Sequence, residues 1–97
     1  MGPGKAALLE AIQGCGSISA AAKMLDMSYR RAWQLVEAMN NAFSQPVVVA
    51  NKGGAGGGGA MVTAHGLQVL AVYREVERSV DALIESQHPQ FEILLRR

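Results

Sequence analysis

The sequence holds a single cysteine, so no internal disulfide framework can brace it. Cys15 has no second cysteine, histidine or aspartate beside it and reads as a small buried hydrophobe. The two histidines, His65 and His88, lack ligand-spaced partners and read as surface or capping residues, so no metal and no cofactor is expected. Paired carboxylates and catalytic triads are missing too, which argues against an enzyme. No apolar run approaches ~18 residues and no signal peptide opens the chain, so neither a membrane span nor secretion is expected. These absences point to the cytoplasm. What remains is a chain of 97 residues, 49% apolar, which is one small folded domain with a core.

The stretch Ile18 to Met39, ISAAAKMLDMSYRRAWQLVEAM, splits into a short helix, a tight turn and a longer helix. Ser19 is the expected cap of the first helix, which runs through Ala20, Ala21, Ala22 and Lys23 to Leu25. Asp26 and Met27 interrupt it, and Asp26 is the residue expected to tolerate positive φ. Ser28 is the next N-cap. The second helix then carries Ala32, Leu35, Val36, Met39 and Phe43 on one face, at the recurrence of a half-buried helix. Ala22 and Ala32 supply small residues for a close crossing, while Ala21, Leu25, Met27 and Leu35 plug both sides of the turn. This is the grammar of a helix-turn-helix.

Opposite that apolar face lie Arg30, Gln34 and Asn41, flanked by Arg31 and Glu37. Arginine and glutamine read guanine and adenine edges through paired hydrogen bonds, and they stand near the end of the helix that enters a major groove. Ser28, Tyr29, Arg30, Arg31 and Gln34 are therefore the expected base- and phosphate-contacting set, with Trp33 largely packing. The plain alternative is a solvated polar face on an ordinary core helix. Net charge is only +1, but residues 1–63 carry five basic and three acidic side chains, against four and five in 64–97. The basic half coincides with the helix-turn-helix, as a phosphate-facing surface requires.

Ahead of this motif, MGPG reads as a turn, and a helix from Lys5 carries Ala7, Leu8, Ala11 and Ile12 and stops at Gly14. Behind it, Asn40, Asn41 and Ser44 loosen the pattern. Pro46 leads into Val47–Val49, a β-branched run, and Ala60 to Thr63 is a second short strand. Lys52 and the segment GGAGGGG join them, giving a hairpin that acts as a wing, with Lys52 placed to reach phosphate. Gly54, Gly56 and Gly59 also match a dinucleotide-binding glycine pattern, but that pattern must open a helix, and a β-prone run follows here.

Thr63 or a neighbour caps the longest helix, about residues 64–86. Its residues Val69, Tyr73, Val76, Val80 and Leu83 recur at spacings of four and three, a heptad-like seam expected to pair with a second chain. Leu67, Leu70 and Ile84 form a second set that could pack on the body; the alternative is a core helix with a wide apolar face. His88-Pro89 should end the helix, and Phe91, Ile93, Leu94 and Leu95 form an apolar tail. The division expected is a reading domain over 1–63 and a dimerisation helix with tail over 64–97.

The residues GPGKAALLEAI and GSISAAAKMLDMSYRRAWQLVEAMN, with the wing after them, closely resemble the DNA-binding domain of the molybdate-responsive ModE family. The helix-turn-helix is similar to that of LysR-type regulators. Over about residues 2–80 the resemblance implies a mainly α fold with a small β-hairpin, a winged helix-turn-helix with a long C-terminal dimerisation helix. It also implies a transcription-regulatory role and dimerisation through the long final helix. Two copies paired along the seam as a homodimer can engage two half-sites of double-stranded DNA at once, so an inverted-repeat operator is expected. Larger members carry a C-terminal oxyanion-binding module for which this chain lacks the length, so a ModE-like regulator without molybdate sensing is expected. The family usually has a strand before the Gly-Pro-Gly-Lys segment, where this chain starts, so the expectation is either a wing without its third strand or a start truncated relative to the family. A protein-interaction module on the same fold is the competing expectation.

Overall fold

The computed structural model describes residues 1–51, 59–87 and 94. Lys52, residues 53–58 of the glycine segment, His88, Pro89 and the tail residues Phe91, Ile93 and Leu95 lie outside the described residues.

Helix α1 spans Pro3–Cys15, two residues earlier than the expected start at Lys5. Pro3 opens it because proline's fixed φ suits the first turn, where its missing N–H has no intrahelical partner to lose. The helix runs past Gly14 and ends at Gly16, whose φ of 76° allows its N–H to reach Ile12 O at 2.8 Å. Ala6, Leu8, Leu9, Ala11 and Ile12 are buried along one side and form the centre of the core.

Helix α2 spans Ile18–Met24 and is capped by Ser17, not Ser19: Ser17 Oγ accepts from Ala20 N–H at 3.0 Å. The chain must already be helical at Ile18 to bury that side chain, so Ser19 falls inside the first turn. The turn to the next helix rests on Asp26, at φ 55°, the one described non-glycine residue with positive φ. Helix α3, Tyr29–Ala42, begins at Ser28, whose Oγ accepts from Arg31 N–H at 3.0 Å. Ala22 and Ala32 are both buried at the crossing, as a close helix-turn-helix approach needs.

Strands β1, Val48–Asn51, and β2, Gly59–Val62, pair antiparallel, with Val48 opposite Val62 and Asn51 opposite Gly59. Asn40 locks this hairpin to α3. Its Oδ1 accepts from Val47 N–H (2.8 Å) and Val48 N–H (3.2 Å), and its Nδ2 donates to Val48 O (3.0 Å). A second tie runs from Ala60 N–H to Gly16 O at 2.9 Å. Gly59 opens a strand where a dinucleotide-binding glycine pattern would open a helix, in line with the β-prone run expected after it.

Helix α4 spans Ala64–Gln87. Thr63 Oγ1 accepts from Gly66 N–H (2.9 Å) and donates to Pro46 O (2.7 Å), so one hydroxyl caps the helix and anchors its start. Gly66 is required by proximity: a Cβ there would strike the Val47 carbonyl oxygen and stand 2.7 Å from Val62 Cγ1. Leu70 completes the core, with Val69 and Tyr73 partly buried against it. Arg74 then bridges to Glu10 of α1 and to Glu77 of its own helix. Leu67 and Ile84 remain exposed rather than packing on the body. Between Glu75 and Ser86 no residue is buried. The helix is about 36 Å long at 1.5 Å per residue, so its distal half projects beyond the body.

Candidate nucleic-acid interface

Ala32, Val36 and Met39 turn the apolar side of α3 into the core, and the helical period then directs the opposite side outward. Tyr29, Arg30, Arg31 and Gln34 are all exposed, within the first two turns of α3. Ser28, at the cap, is exposed as well. Its oxygen is engaged by Arg31 N–H, which leaves its own hydroxyl proton free to donate. Among the described residues neither Arg30 nor Arg31 makes an ion pair; the three salt bridges belong to Arg74 and Arg78. Both guanidiniums are therefore available to an anionic partner. Glu37 and Asn41 extend the exposed face by a further turn, with Glu37 as the acid that limits its positive charge.

Trp33 departs from the packing role expected of it. It is 40% exposed, beside Tyr29 at 54%, and the two rings meet edge to face at 6.4 Å and 77°. Its inner edge borders a small cavity of about 110 Å³ lined by Ile18, Val36, Val48, Ala50 and Gly59, between α3 and the hairpin. The helical position gives the signal in retrospect. At about 100° per residue Trp33 lies on the flank of α3 rather than in line with Ala32, Val36 and Met39. Lys52 lies outside the described residues and cannot be placed with this set.

A second surface lies along α4. Val69 and Tyr73 lean on the body, whereas Val76, Val80 and Leu83 are 54%, 48% and 56% exposed. Near its base, Met1, Phe43, His65, Val69, Val72 and Val76 line an apolar groove of about 520 Å³. The helix flank beside the seam is charged. Arg78 pairs with Glu75, while Glu77 and then Glu10 hold the Arg74 guanidinium charged still further above its usual range. Among the described residues no group of three or more His, Cys, Asp or Glu side chains gathers that could hold a metal ion. No described helix is long and apolar enough to cross a membrane.

No protein-family model matches the chain. It is 48% identical over 86 residues to the molybdenum-pterin-binding protein MopB of Rhodobacter capsulatus, covering 89% of this chain and 32% of that protein. It is 42% identical over 77 residues to the transcriptional regulator ModE of Haemophilus influenzae, covering 79% and 30% respectively. With the DNA-binding transcriptional dual regulator ModE of Escherichia coli it shares 35% over 92 residues, covering 95% and 32%. The chain thus spans about a third of the length of these relatives, and its homologues are molybdate-responsive regulators of the ModE and MopB kind, matched over their N-terminal region. Among solved structures, the DNA-binding domain of CbnR in complex with DNA superposes with a TM-score of 0.67 at 18% identity, covering 93% of this chain and 98% of that one. ArgP of Mycobacterium tuberculosis superposes at 0.61 with 24% identity, covering 90% of this chain and 31% of that one. The fold is the LysR-type winged helix-turn-helix.

Proposed function

We propose that the chain is a ModE-like, sequence-specific DNA-binding unit of a transcription regulator, working in the cytoplasm as a homodimer without enzymatic activity. One observation carries the reading: Arg30, Arg31 and Gln34, exposed and with side chains unpaired among the described residues, project from the first two turns of a helix held in helix-turn-helix geometry. Helix-turn-helix proteins lay that end of the second helix in the major groove, where arginine pairs with guanine and glutamine with adenine. Ser28, Tyr29 and Arg31 then serve the flanking phosphates and bases, and Lys52, in the sequence between the two strands, would add a sequence-independent phosphate contact. The regulators among its homologues, named for transcription control, support the same assignment.

Residues 1–63 would do the reading and residues 64–97 the pairing, through Val69, Tyr73, Val76, Val80 and Leu83. An inverted-repeat operator follows from a two-fold pair of such units. Residues 1–97 would act without a molybdate-binding module. The rival, a protein-interaction module, draws on the same exposed seam of α4. Selection of bound sequences from random duplex DNA separates the two. Enrichment of one motif with two-fold symmetry is the expected result; recovery of unselected sequence would leave the interaction module standing.

A further inference from the structure

Tyr29 and Trp33 stand one helical turn apart on the flank of α3 that adjoins Arg30 and Gln34. The two residues are 54% and 40% open to water and their rings adjoin one another, so they form a continuous aromatic surface beside the polar face rather than two scattered side chains. Their placement is also constrained. The rings meet edge to face, and Trp33 is backed by the cavity walled by Ile18, Val36 and the hairpin residues Val48 and Ala50. With few rotatable bonds each, such side chains give contact area at low entropic cost.

From this arrangement we infer that the Tyr29–Trp33 pair is a specificity device that selects thymine, by packing against its 5-methyl group in the major groove. The inference rests on the DNA-binding reading above and names what that interface recognises beside guanine and adenine. Thymine is the base whose major-groove edge offers a methyl group together with an acceptor, O4. The pair offers the complement: apolar ring surface, a donor-only indole N–H and a phenol O–H. Cytosine presents a donor and no methyl at the same place, so it gains no apolar contact and leaves the indole N–H without an acceptor. Arg30 and Gln34 offer that methyl only the methylenes of their flexible stems, and Ala32 is buried. Among the described residues in the first two turns of α3, the aromatic pair is the rigid apolar surface open to it.

The test replaces thymine by deoxyuridine, one position at a time, in the duplex recovered by selection, which removes the methyl and keeps the base pairing. Trp33 is the single tryptophan of the chain, so its own fluorescence reports the titration. For the wild type, one or two positions per half-site should each lose about fourfold in affinity, the effect of one buried methyl group. Trp33 emission should change on binding. Trp33→Ala should bind all of these duplexes equally, and Trp33→Phe, which keeps a ring, should retain part of the discrimination. Circular dichroism of both variants excludes unfolding as the cause. Wild-type affinity that is unchanged on every deoxyuridine duplex overturns the inference while leaving sequence-specific DNA binding intact. Failure to bind any duplex specifically would instead remove the functional reading beneath it, and the inference with it.

Discussion

At the scale of single residues the reading face gives a sharp expectation. Arg30→Ala and Gln34→Ala should each weaken specific binding by ~1–3 kcal/mol and relax the preference at one operator position, because on the proposed reading each would remove a paired contact to a base edge. Lys52→Ala should lower affinity by a similar factor on every sequence, since phosphate carries no sequence information. Competition titrations on the selected duplex and its single-base variants measure both effects; an Arg30→Ala protein with unchanged preference would move the reading face elsewhere. Asn40 belongs to a different class. Its amide serves Val47 N–H, Val48 N–H and Val48 O, so Asn40→Ala leaves backbone groups of two buried residues without partners. Denaturant unfolding should show a loss of roughly 1–3 kcal/mol. The polar face of α3 was legible in the sequence, because period alone separates Arg30 and Gln34 from Ala32 and Val36. Asn40 was not. An amide after a helical run looks the same whether it loosens the chain or clamps a strand eight residues on. Trp33 was misjudged for a related reason, as bulk and apolarity suggest burial until the helix phase is followed residue by residue.

Elements were legible by kind and less so at their ends. The helix-turn-helix, the two strands and the long helix all show in the period, and Asp26 was identifiable as the turn residue because few side chains accept its φ. The ends depend on which of several competent residues wins. Ser17 and Ser19 both suit a cap, and Gly14 and Gly16 both suit a stop. Burial of Ile18 and the tie from Ala60 N–H to Gly16 O decide for Ser17 and Gly16, and these are tertiary facts. The choice is testable by thermal unfolding. Ser17→Ala should cost ~1 kcal/mol as a lost cap, while Ser19→Ala, inside the helix, should be neutral or slightly stabilising. Gly66 poses the opposite question, since alanine is the better helix former by about 1 kcal/mol. Here the carbonyl of Val47 and the methyl of Val62 occupy the space a Cβ needs, and backbone cannot move aside cheaply. Overpacking of this kind costs roughly 1–3 kcal/mol, so Gly66→Ala should destabilise despite its propensity, with a lower midpoint in the same assay. A raised midpoint would mean that α4 tilts away from the hairpin freely.

For the whole molecule the governing fact is the mismatch between a small reading unit and a helix that outreaches it. The molecule extends 55 Å along its longest axis and 19 Å along its shortest, and the distal half of α4 carries Val76, Val80 and Leu83 into solvent. One copy, with five basic and three acidic residues over 1–63, can neutralise few phosphates, so its affinity alone should be poor and only weakly salt-dependent. Two copies joined along α4, as proposed, would engage two half-sites at once; the second contact would become intramolecular and affinity would rise without any new base contact. Val76 is the residue to change, because its exposure separates pairing from folding. In a lone chain Val76→Asp exchanges an exposed apolar side chain for a solvated carboxylate and should leave the unfolding midpoint of dilute protein nearly unchanged. Within a paired seam the same carboxylate would be buried without a partner, which is costly enough to separate the chains. Sedimentation should therefore show wild type as a dimer at tens of micromolar and Val76→Asp as a monomer. Binding to the inverted repeat should fall steeply, binding to an isolated half-site should hold, and the slope of log affinity against log salt should drop to about half. A wild-type monomer at that concentration, or a Val76→Asp protein of unchanged mass, would refute the pairing and reduce the seam to an apolar stripe on a long helix.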